Sequence, residues 1–411
     1  MLKQLSGIRV LDLTRILAGP YASMILGDLG AEIIKIERPI VGDETRRLGP
    51  PFLGPESIYF LAINRNKKSV AVDITIEKGQ NIIQDLATKS HVLIENFVPG
   101  KLNQFNLDYH SIAKKNPNLI YCSLTGFGQT GAYATRPGFD LLAQGIGGLL
   151  NVTGPEGGEP IRPGIALIDI ITGLYANISI LSALREIEMN NSNGKWIDCN
   201  LLASQLAVLS TLAASYLNTG EVGKKYGSAH PSIVPYQAYK TIDGYYVLAC
   251  VSDKNFFELC DVLELGKIKY NAKFKTNKDR VVNRLELLSL MQDKMKMKSN
   301  SEWGIVLRQV AFAHGPVNDF KAVFSDPNIM QMNLIQTCMH ATAGELKVVG
   351  SPIKFYDNNN QQFSAQDSDS TALPPPILGE HTRKVLTDVL NYSQNHIDDL
   401  VRDEIIQESI L

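Results

Sequence analysis

The sequence predicts an α/β protein built on a parallel β-sheet. In the first third of the chain, short apolar runs alternate with helical patterns, and this order is typical of a parallel sheet covered by helices on both faces. Such sheets bind ligands at the carboxyl ends of their strands, so the residues just after each strand carry most information about function. The predicted strands are residues 8–14, 32–37, 69–73, 91–96 and 119–124, with predicted helices at residues 20–30 and 78–88.

Beyond the predicted sheet the chain changes character, and a hairpin is the strongest signal. Residues 236–240 and 245–251 flank Asp243-Gly244, a dipeptide that suits the positive dihedral angles of a tight turn. The other predicted elements are helices at residues 170–187, 200–218, 255–263, 280–296 and 301–311, a strand or hairpin at 344–355, a polar loop at 358–370 and a last pair of helices that starts within 374–386.

These patterns divide the chain into three parts. We expect a large Rossmann-like domain over residues 1–220, a smaller α+β domain over residues 221–330, and a carboxyl-terminal segment, residues 331–411, that returns to the large domain. A chain of 411 residues with 44% hydrophobic side chains is long enough to bury the cores of two such domains.

Composition excludes several classes of function. With 40 basic and 42 acidic side chains the net charge is -2, so we expect neither nucleic acid nor a membrane as partner. No apolar run approaches the ~20 residues that a membrane-spanning helix needs. The five cysteines are scattered without a CxxC pair, which predicts no disulfide framework and no structural metal. The amino terminus shows no secretory or transit signal, which predicts a cytoplasmic protein.

A dinucleotide cofactor is not expected. The turn after the first strand, residues 14–20, lacks the spaced glycines that let a pyrophosphate approach the backbone in NAD-binding sheets. Glu37 stands where a ribose-binding acid would lie, but Arg38 follows it at once. A cation at a strand end suits a phosphate better than a ribose hydroxyl.

Motifs along nearly the whole chain resemble one enzyme family, the class III CoA-transferases, to which formyl-CoA transferase and carnitine CoA-transferase belong. That resemblance implies an interlocked homodimer that uses a coenzyme A thioester as substrate, with no permanently bound cofactor and no metal. The motifs are GIRVLDLTRILAGPYASMILGDLGAEIIKIERP (7–39), NRNKKSVAVD (64–73), ENFVPGKL (95–102), LTGFGQTG (124–131), RPGFD (136–140), TGLYA (172–176) and PPPILGEHT (374–382).

Four segments look most similar to an animal subfamily that uses dicarboxylates. The similarity implies succinyl-CoA as donor, glutarate or 3-hydroxymethylglutarate as acceptor, and the mitochondrial matrix as compartment. The segments are NRNKKS (64–69), VTGP (152–155), IDCNLL (197–202) and SIVPYQAYKT (232–241).

Asp169 is the candidate nucleophile. It lies in GIALIDIITG (164–173), just before a predicted helix, where the family resemblance implies a carboxylate that carries CoA covalently. A helix dipole favours a negative charge there by ~0.3–1 kcal/mol. The alternative is an ordinary aspartate that caps the helix and contributes ~1 kcal/mol of stability.

The resemblance also implies a set of coenzyme A contacts near the strand ends. Arg38 would bind the nucleotide phosphates, unless it is only a solvated arginine, and Asp140 could equally be a structural helix cap. The remaining contacts have plain packing at strand ends as their alternative. The implied contacts are Leu17, Ala18, Arg38, Val72, Asn96, Phe97, Lys101, Arg136, Phe139 and Asp140.

A second carboxylate on the substrate needs a cationic or amide partner. Arg15 is the first candidate because it follows the first strand, and Arg46 is the second, in a loop where it could be merely exposed. His230 is the third, and a structural or surface role is the alternative for it. It lies where formyl-CoA transferase has a run of glycines that closes over the site, and this chain departs from that run.

Two other functions compete with CoA transfer. The first is that of α-methylacyl-CoA racemase, which shares the fold and uses a histidine and an aspartate as its acid–base pair. The position of that histidine is occupied here by Phe139, which cannot carry a proton. A coenzyme A-binding protein without activity is the second alternative, although Asp169 and every predicted element are present.

Overall fold

The computed structural model describes residues 4–356, 362–363 and 373–409. The described chain forms two compact units. The first comprises described residues of 1–149, 163–214 and 333–411, and the second comprises residues 150–162 and 215–332. The domain limits expected from the sequence remain a prediction. The predicted loop at 358–370 lies outside the described residues except for Gln362–Phe363, which forms a short strand.

Each strand is introduced here with its bounds. The strands are β1 (Arg9–Asp12), β2 (Glu32–Glu37), β3 (Phe52–Leu53), β4 (Glu56–Ser57), β5 (Lys67–Val72), β6 (Val92–Glu95), β7 (Ile120–Thr125), β8 (Trp196–Asn200), β9 (Tyr236–Lys240), β10 (Tyr245–Ala249), β11 (Ala313–Pro316), β12 (Ile335–His340), β13 (Gly344–Val349), β14 (Phe355–Tyr356), β15 (Gln362–Phe363) and β16 (Ile406–Gln407).

The helices lie mostly between and after these strands. They are α1 (Ala18–Asp28), α2 (Ile58–Ile63), α3 (Glu77–Thr88), α4 (Tyr109–Lys115), α5 (Asp140–Ile146), α6 (Leu149–Val152), α7 (Leu167–Asn190), α8 (Leu201–Val208), α9 (Thr211–Thr219), α10 (Asp253–Val262), α11 (Gly266–Lys269), α12 (Asn277–Val282), α13 (Arg284–Met295), α14 (Asn300–Val306), α15 (Phe320–Val323), α16 (Pro327–Gln331), α17 (Thr382–Leu390) and α18 (Gln394–Arg402).

A seven-stranded sheet organises the first unit. Its strand order is β16-β5-β2-β1-β6-β7-β8, with every neighbouring pair parallel except β16 and β5. The predicted parallel sheet is therefore confirmed. From β5 to β8 the order is that of doubly wound sheets. In such sheets successive strands are added first on one side of β1 and then on the other, and this change leaves a crevice at the carboxyl ends of β1 and β6.

Side chains of the sheet are buried on both faces. Val10 and Val92 belong to one core cluster with residues of α1 and α7, whereas Leu11 and Leu93 belong to another with residues of α3, α4, α17 and α18. Neighbouring residues of a strand point to opposite faces, so this division means that helices cover both.

Two predicted helices are each broken in the structure. The predicted helix at 200–218 is α8 followed by α9, because Ser210 adopts φ 46°, a left-handed conformation that ends the first helix. The predicted helix at 280–296 is α12 followed by α13. There the side chain of Asn283 donates to the carbonyl of Asp279 at 2.9 Å and so satisfies the end of α12.

Helix α7 corrects the expectation that no segment is apolar enough to cross a membrane. In the part of the chain that the structure describes, it is the one helix long and apolar enough to cross a membrane by length and composition, and the bent pair α8 and α9 passes the same test together. Its inner face belongs to the core: a Cβ at Gly173 would lie 2.7 Å from the carbonyl oxygen of Ala18. Packing against α1 therefore explains part of this apolarity.

The second unit contains the predicted hairpin. β9 and β10 pair in antiparallel register from Tyr245 opposite Lys240 onward, and β11 joins the other edge of β10. Its core includes aromatic side chains and Arg280, which is fully buried. The Arg280 guanidinium bonds to the carbonyl of Val234 at 2.7 Å and to the carboxylate of Asp253 at 2.8 Å, which compensates its burial.

Candidate active site

Buried ion pairs connect β5 to the carboxyl end of β1, and β2 to the loop that follows it. Lys67 Nζ lies 3.3 Å from the carboxylate of Asp12, and Lys35 Nζ lies 3.0 Å from that of Asp43. The four side chains are almost fully shielded from water. Lys35 also donates to the carbonyl of Thr14 at 2.8 Å, so the network reaches the turn after β1.

The network shifts the pKa of each member. Burial works to raise the pKa of Asp12, but Lys67 and Lys35 hold it below its ordinary value. Burial likewise opposes ionisation of Asp43, yet Lys35 and the backbone N–H of Thr45 lower its pKa to about 2. Burial lowers the pKa of Lys67 to about 8 despite Asp12. Both carboxylates therefore stay charged at neutral pH and anchor the loops beside them.

The turn between β1 and α1 has a strained backbone that hydrogen bonds from neighbouring segments hold in place. Ile16 has φ 70°, an unfavourable conformation for a β-branched residue, and its N–H donates to Asp43 at 3.2 Å. The side chain of Asn96 accepts from the N–H of Arg15 at 3.0 Å and donates to its carbonyl at 2.7 Å. Strain of this kind persists only where neighbours enforce it, and it concentrates at functional sites.

A cleft of about 320 Å³ opens at this edge of the sheet. It lies at the carboxyl ends of β1, β6 and β7, where the doubly wound order predicts a ligand. The structure brings together here eight of the predicted site residues: Arg15, Leu17, Ala18, Asn96, Phe97, Arg136, Phe139 and Asp169.

Asp169 is half-buried in the cleft wall, at the third position of α7. It is therefore not the N-cap residue, which is Ala166 and provides no side-chain hydrogen bond. The cap comes from Asp140, whose carboxylate accepts from the N–H groups of Ile168 at 2.7 Å and Asp169 at 3.3 Å. These hydrogen bonds support the interpretation of Asp140 as a helix cap. The helix that it caps is α7, whereas Asp140 itself belongs to α5.

A second cavity, of about 280 Å³, lies beside the first at the ends of β2 and β5. Arg38, Val72 and Lys101 line it, so the residues expected at the nucleotide end lie together. Arg15 and Phe97 line both cavities, with the guanidinium 4.9 Å from the ring centroid. One extended ligand could therefore occupy both cavities and pass along Arg15 and Phe97.

Arg46 and His230, two candidates for binding the substrate carboxylate, both contact other side chains of the protein. Arg46 is not exposed: its guanidinium bonds twice to Glu37 at 2.7 Å and stacks 3.7 Å from the Phe60 ring centroid. Glu37 thus serves a buried ion pair and not a ribose. His230 belongs to the second unit, where its ring stacks on Tyr236 and accepts from the N–H of Ser232. Its role toward a substrate remains a prediction.

Sequence reasoning missed two acidic residues at the site. Glu44 lines the cleft and forms a 2.6 Å ion pair with Arg15, with both side chains roughly half exposed. Glu95, the last residue of β6, lines a third cavity of about 360 Å³ and accepts from the N–H of Phe97 at 2.8 Å. Glu95 directly precedes Asn96 and Phe97, which were predicted to contact coenzyme A. This position at the end of a strand could have identified Glu95 as a candidate site residue.

Glu95 makes the stability of the first unit depend on pH. Burial raises the pKa of Glu95 to about 7, with a further contribution from Asp198, although Ser123 and the N–H of Phe97 act against it. A raised folded-state pKa means that this contribution to stability is complete below about pH 4.5 and is lost as pH rises through 7. The free energy of unfolding should fall by about 3 kcal/mol across this range.

We therefore expect Glu95→Gln to remove this pH dependence. The amide oxygen still accepts from Phe97, and no buried charge forms above pH 7. The measurement is the free energy of urea unfolding of both proteins from pH 4 to 8. Glu77→Gln, at an exposed position on α3, is the control and should follow the wild type. Parallel profiles of wild type and Glu95→Gln would contradict the assignment.

Comparisons with known proteins show which family this chain resembles. The model of CoA-transferase family III matches residues 5–382. The chain is 44% identical over 407 residues to Homo sapiens succinyl-CoA:glutarate CoA-transferase, covering 99% of this chain and 91% of that protein. It is 36% identical over 391 residues to Agrobacterium fabrum succinate–glutarate CoA-transferase, covering 94% and 95%. The crystal structure of a CAIB/BAIF family protein from Brucella suis matches with a TM-score of 0.82 and 36% identity, covering 95% of this chain and 100% of that one.

The fold, the cleft and these matches define the class of protein, an enzyme that transfers coenzyme A. Enzymes of this class use coenzyme A thioesters as substrates. The chain belongs to CoA-transferase family III, as its motifs predicted.

Proposed function

We propose that the enzyme moves CoA from succinyl-CoA to a dicarboxylate, glutarate or 3-hydroxymethylglutarate, through an aspartyl-CoA thioester on Asp169. The observation that carries the proposal is the position of this carboxylate in the wall of the cleft at the carboxyl ends of β1, β6 and β7. The names of the human and Agrobacterium relatives, both of which contain succinate or succinyl-CoA and glutarate, support the choice of acids.

The reaction follows from carboxylate chemistry. An oxygen of Asp169 attacks the carbonyl carbon of succinyl-CoA, the C–S bond breaks, and CoA leaves as thiolate from a mixed anhydride. The thiolate then attacks the aspartyl carbonyl, the anhydride C–O bond breaks, and succinate departs with the electron pair. The acceptor carboxylate repeats both steps in reverse. An activated acyl group survives each exchange, so the cycle consumes no nucleotide.

The two neighbouring cavities suit the two ends of an acyl-CoA. Arg38 and Lys101 are exposed cations in the second cavity and would hold the nucleotide phosphates, and neither forms an ion pair with a described residue. Phe97 lines both cavities and would lie along the connecting chain. The thioester would then reach Asp169 in the cleft.

Racemase chemistry is disfavoured by Phe139. Its ring is 64% exposed and lines the cleft, so the position faces the ligand but provides no group that transfers a proton. Binding without catalysis is the other alternative, and covalent capture of CoA separates it from a transferase.

Asp169→Asn and Asp169→Ala should abolish covalent capture of CoA. Wild-type enzyme incubated with succinyl-CoA should gain the mass of CoA less water, in an adduct that hydroxylamine removes. We expect kcat of the variants to fall by ~10⁶-fold, the order found when the serine nucleophile of a protease is removed. Intact-protein mass spectrometry and turnover are the measurements.

A matched carboxylate on the surface provides the control. Asp388→Asn changes an exposed residue paired with Lys384 and should leave both adduct and turnover intact. Full turnover in Asp169→Ala would refute the covalent mechanism.

Arg15 is the proposed partner of the distal carboxylate of the acid. Its guanidinium lines the cleft and already holds a carboxylate, that of Glu44, in an exposed pair that water screens and that a substrate could replace at low cost. The planar group can bond both oxygens of a carboxylate at once.

Arg15→Met should raise the KM for glutarate on the order of ten- to hundredfold, because a hydrogen bond to a charged group contributes ~1.5–3 kcal/mol. The KM for butyrate, which lacks the distal carboxylate, should change far less. Steady-state kinetics with both acceptors measure the difference. Arg47→Met, which neutralises an exposed arginine bonded to the carbonyl of Ile40, is the control. An equal loss for glutarate and butyrate would assign Arg15 to another task.

A homodimer is proposed together with this function. On α7, Leu174, Ile178 and Leu181 lie four and three residues apart on one face and are 42%, 63% and 36% exposed. Adjacent apolar residues on a protein surface mark an interface with another chain.

Light scattering should therefore give twice the mass of one chain. Ile178→Glu should shift the protein toward monomer, because the interface would have to bury a charge. Ile242→Glu, at an exposed position in the second unit, should not. A wild-type protein that is monomeric at micromolar concentration would contradict the proposal.

A further inference from the structure

Asp140 is a buried carboxylate whose hydrogen bonds go to the helix that carries Asp169. It is the first residue of α5 and is 5% exposed. One oxygen, Oδ1, accepts from the N–H groups of both Ile168 and Asp169. Because Ala166 provides no side-chain cap, Asp140 supplies from another helix the acceptor that the start of α7 lacks.

The other oxygen of Asp140 is held by Gln144. The side-chain Nε2 of Gln144 donates to Oδ2 of Asp140 at 2.5 Å, and both side chains are buried. Ala143 of α5 shares a small core cluster with Ile168 of α7 and Leu201 of α8. The carboxylate is therefore held from both sides and packed against the segment that it caps.

The chain just before Asp140 is fixed by two glycines. Gly138 passes so close to Gly126 that a Cβ on either residue would overlap the Cα of the other. Gly126 directly follows β7, and both glycines line the cleft. This backbone contact ties the position of Asp140 to the edge of the sheet.

We propose that Asp140 is a positioning residue for Asp169 and that its negative charge favours the acylated, uncharged form of Asp169. The inference rests on the proposed nucleophilic role of Asp169 and deepens it. It gives Asp140 a different task from the coenzyme A contact that the family resemblance implies.

Charge balance explains the second part of the proposal. The free enzyme carries two neighbouring carboxylates, with Oδ1 of Asp140 only 3.3 Å from the backbone nitrogen of Asp169. When an oxygen of Asp169 bonds to the thioester carbon, the negative charge leaves with the CoA thiolate. In the aspartyl-CoA thioester it resides on the released succinate. The repulsion from Asp140 therefore destabilises the free enzyme relative to both intermediates.

Two substitutions separate position from charge. Asp140→Asn keeps an oxygen that accepts from Ile168 and Asp169 but removes the charge. The Oε1 atom of Gln144 has no hydrogen-bond partner among the described residues, so a flipped Gln144 amide can accept from the new side-chain nitrogen. Asp140→Ala removes both the cap and the charge.

We expect different readouts to respond to each variant. Asp140→Asn should lower the equilibrium constant for adduct formation about tenfold, measured by mass spectrometry at a fixed ratio of succinyl-CoA to succinate. Asp140→Ala should lower kcat ~100-fold, the cost of an ~1 Å misplacement, with the KM for succinyl-CoA within about twofold of wild type. Asp326→Ala, which removes a cap with N–H distances of 2.7 and 3.4 Å on α16, should keep its kcat.

The outcomes are distinguishable from failure of the proposed function. A wild-type enzyme without an adduct on Asp169 would refute the nucleophile and this inference together. A wild-type adduct combined with unchanged kcat in Asp140→Ala would refute the positioning role alone. A larger effect on the KM for succinyl-CoA than on kcat would identify Asp140 as a ligand contact. If Asp140→Ala does not fold, an unchanged adduct equilibrium in Asp140→Asn still overturns the proposal.

Discussion

Two buried lysines, each paired with a buried aspartate, connect β5 to the carboxyl end of β1 and β2 to the loop that follows it. Lys67 pairs with Asp12 and Lys35 pairs with Asp43, all shielded from water. Removing one member of such a pair leaves an uncompensated buried charge, at a typical cost of 3–5 kcal/mol. The same groups bond to backbone atoms of the adjoining turns, so the shape of the cleft depends on these charges staying in place.

The cleft is assembled by side chains that bind backbone atoms of other elements. Asp43 accepts from Ile16, Asn96 bonds both backbone groups of Arg15, and Asp140 accepts from the first turn of α7. Each bond joins two segments distant in sequence and leaves neither free to relax alone. This explains how a β-branched residue is kept at positive φ in the cleft that Asp169 also lines, and it pre-organises the walls that a ligand meets.

Much of the first unit could be predicted because its signals are local. Apolar runs of strand length gave β1, β2, β5, β6 and β7, and residues just after them line the two cavities. Asp169 was proposed as nucleophile because the resemblance to the family implies a carboxylate at its position. The breaks at Ser210 and Asn283 could not be found in this way, because each depends on the backbone angle or hydrogen bonds of one residue within a helical pattern.

By itself, the sequence determined the parallel sheet, the hairpin of the second unit and the absence of a dinucleotide turn, because each depends on residues adjacent in the chain. The choice of Asp169 as candidate nucleophile came from the family resemblance of motifs spread along the whole chain. Only the tertiary structure decided that Arg46 is committed to Glu37, that Asp140 caps the helix of Asp169, and that Glu44 faces Arg15. The physical reason is that a charged side chain acquires its role from the partner that folding brings to it. Those partners lie 9 to 29 residues away, beyond the reach of any local pattern.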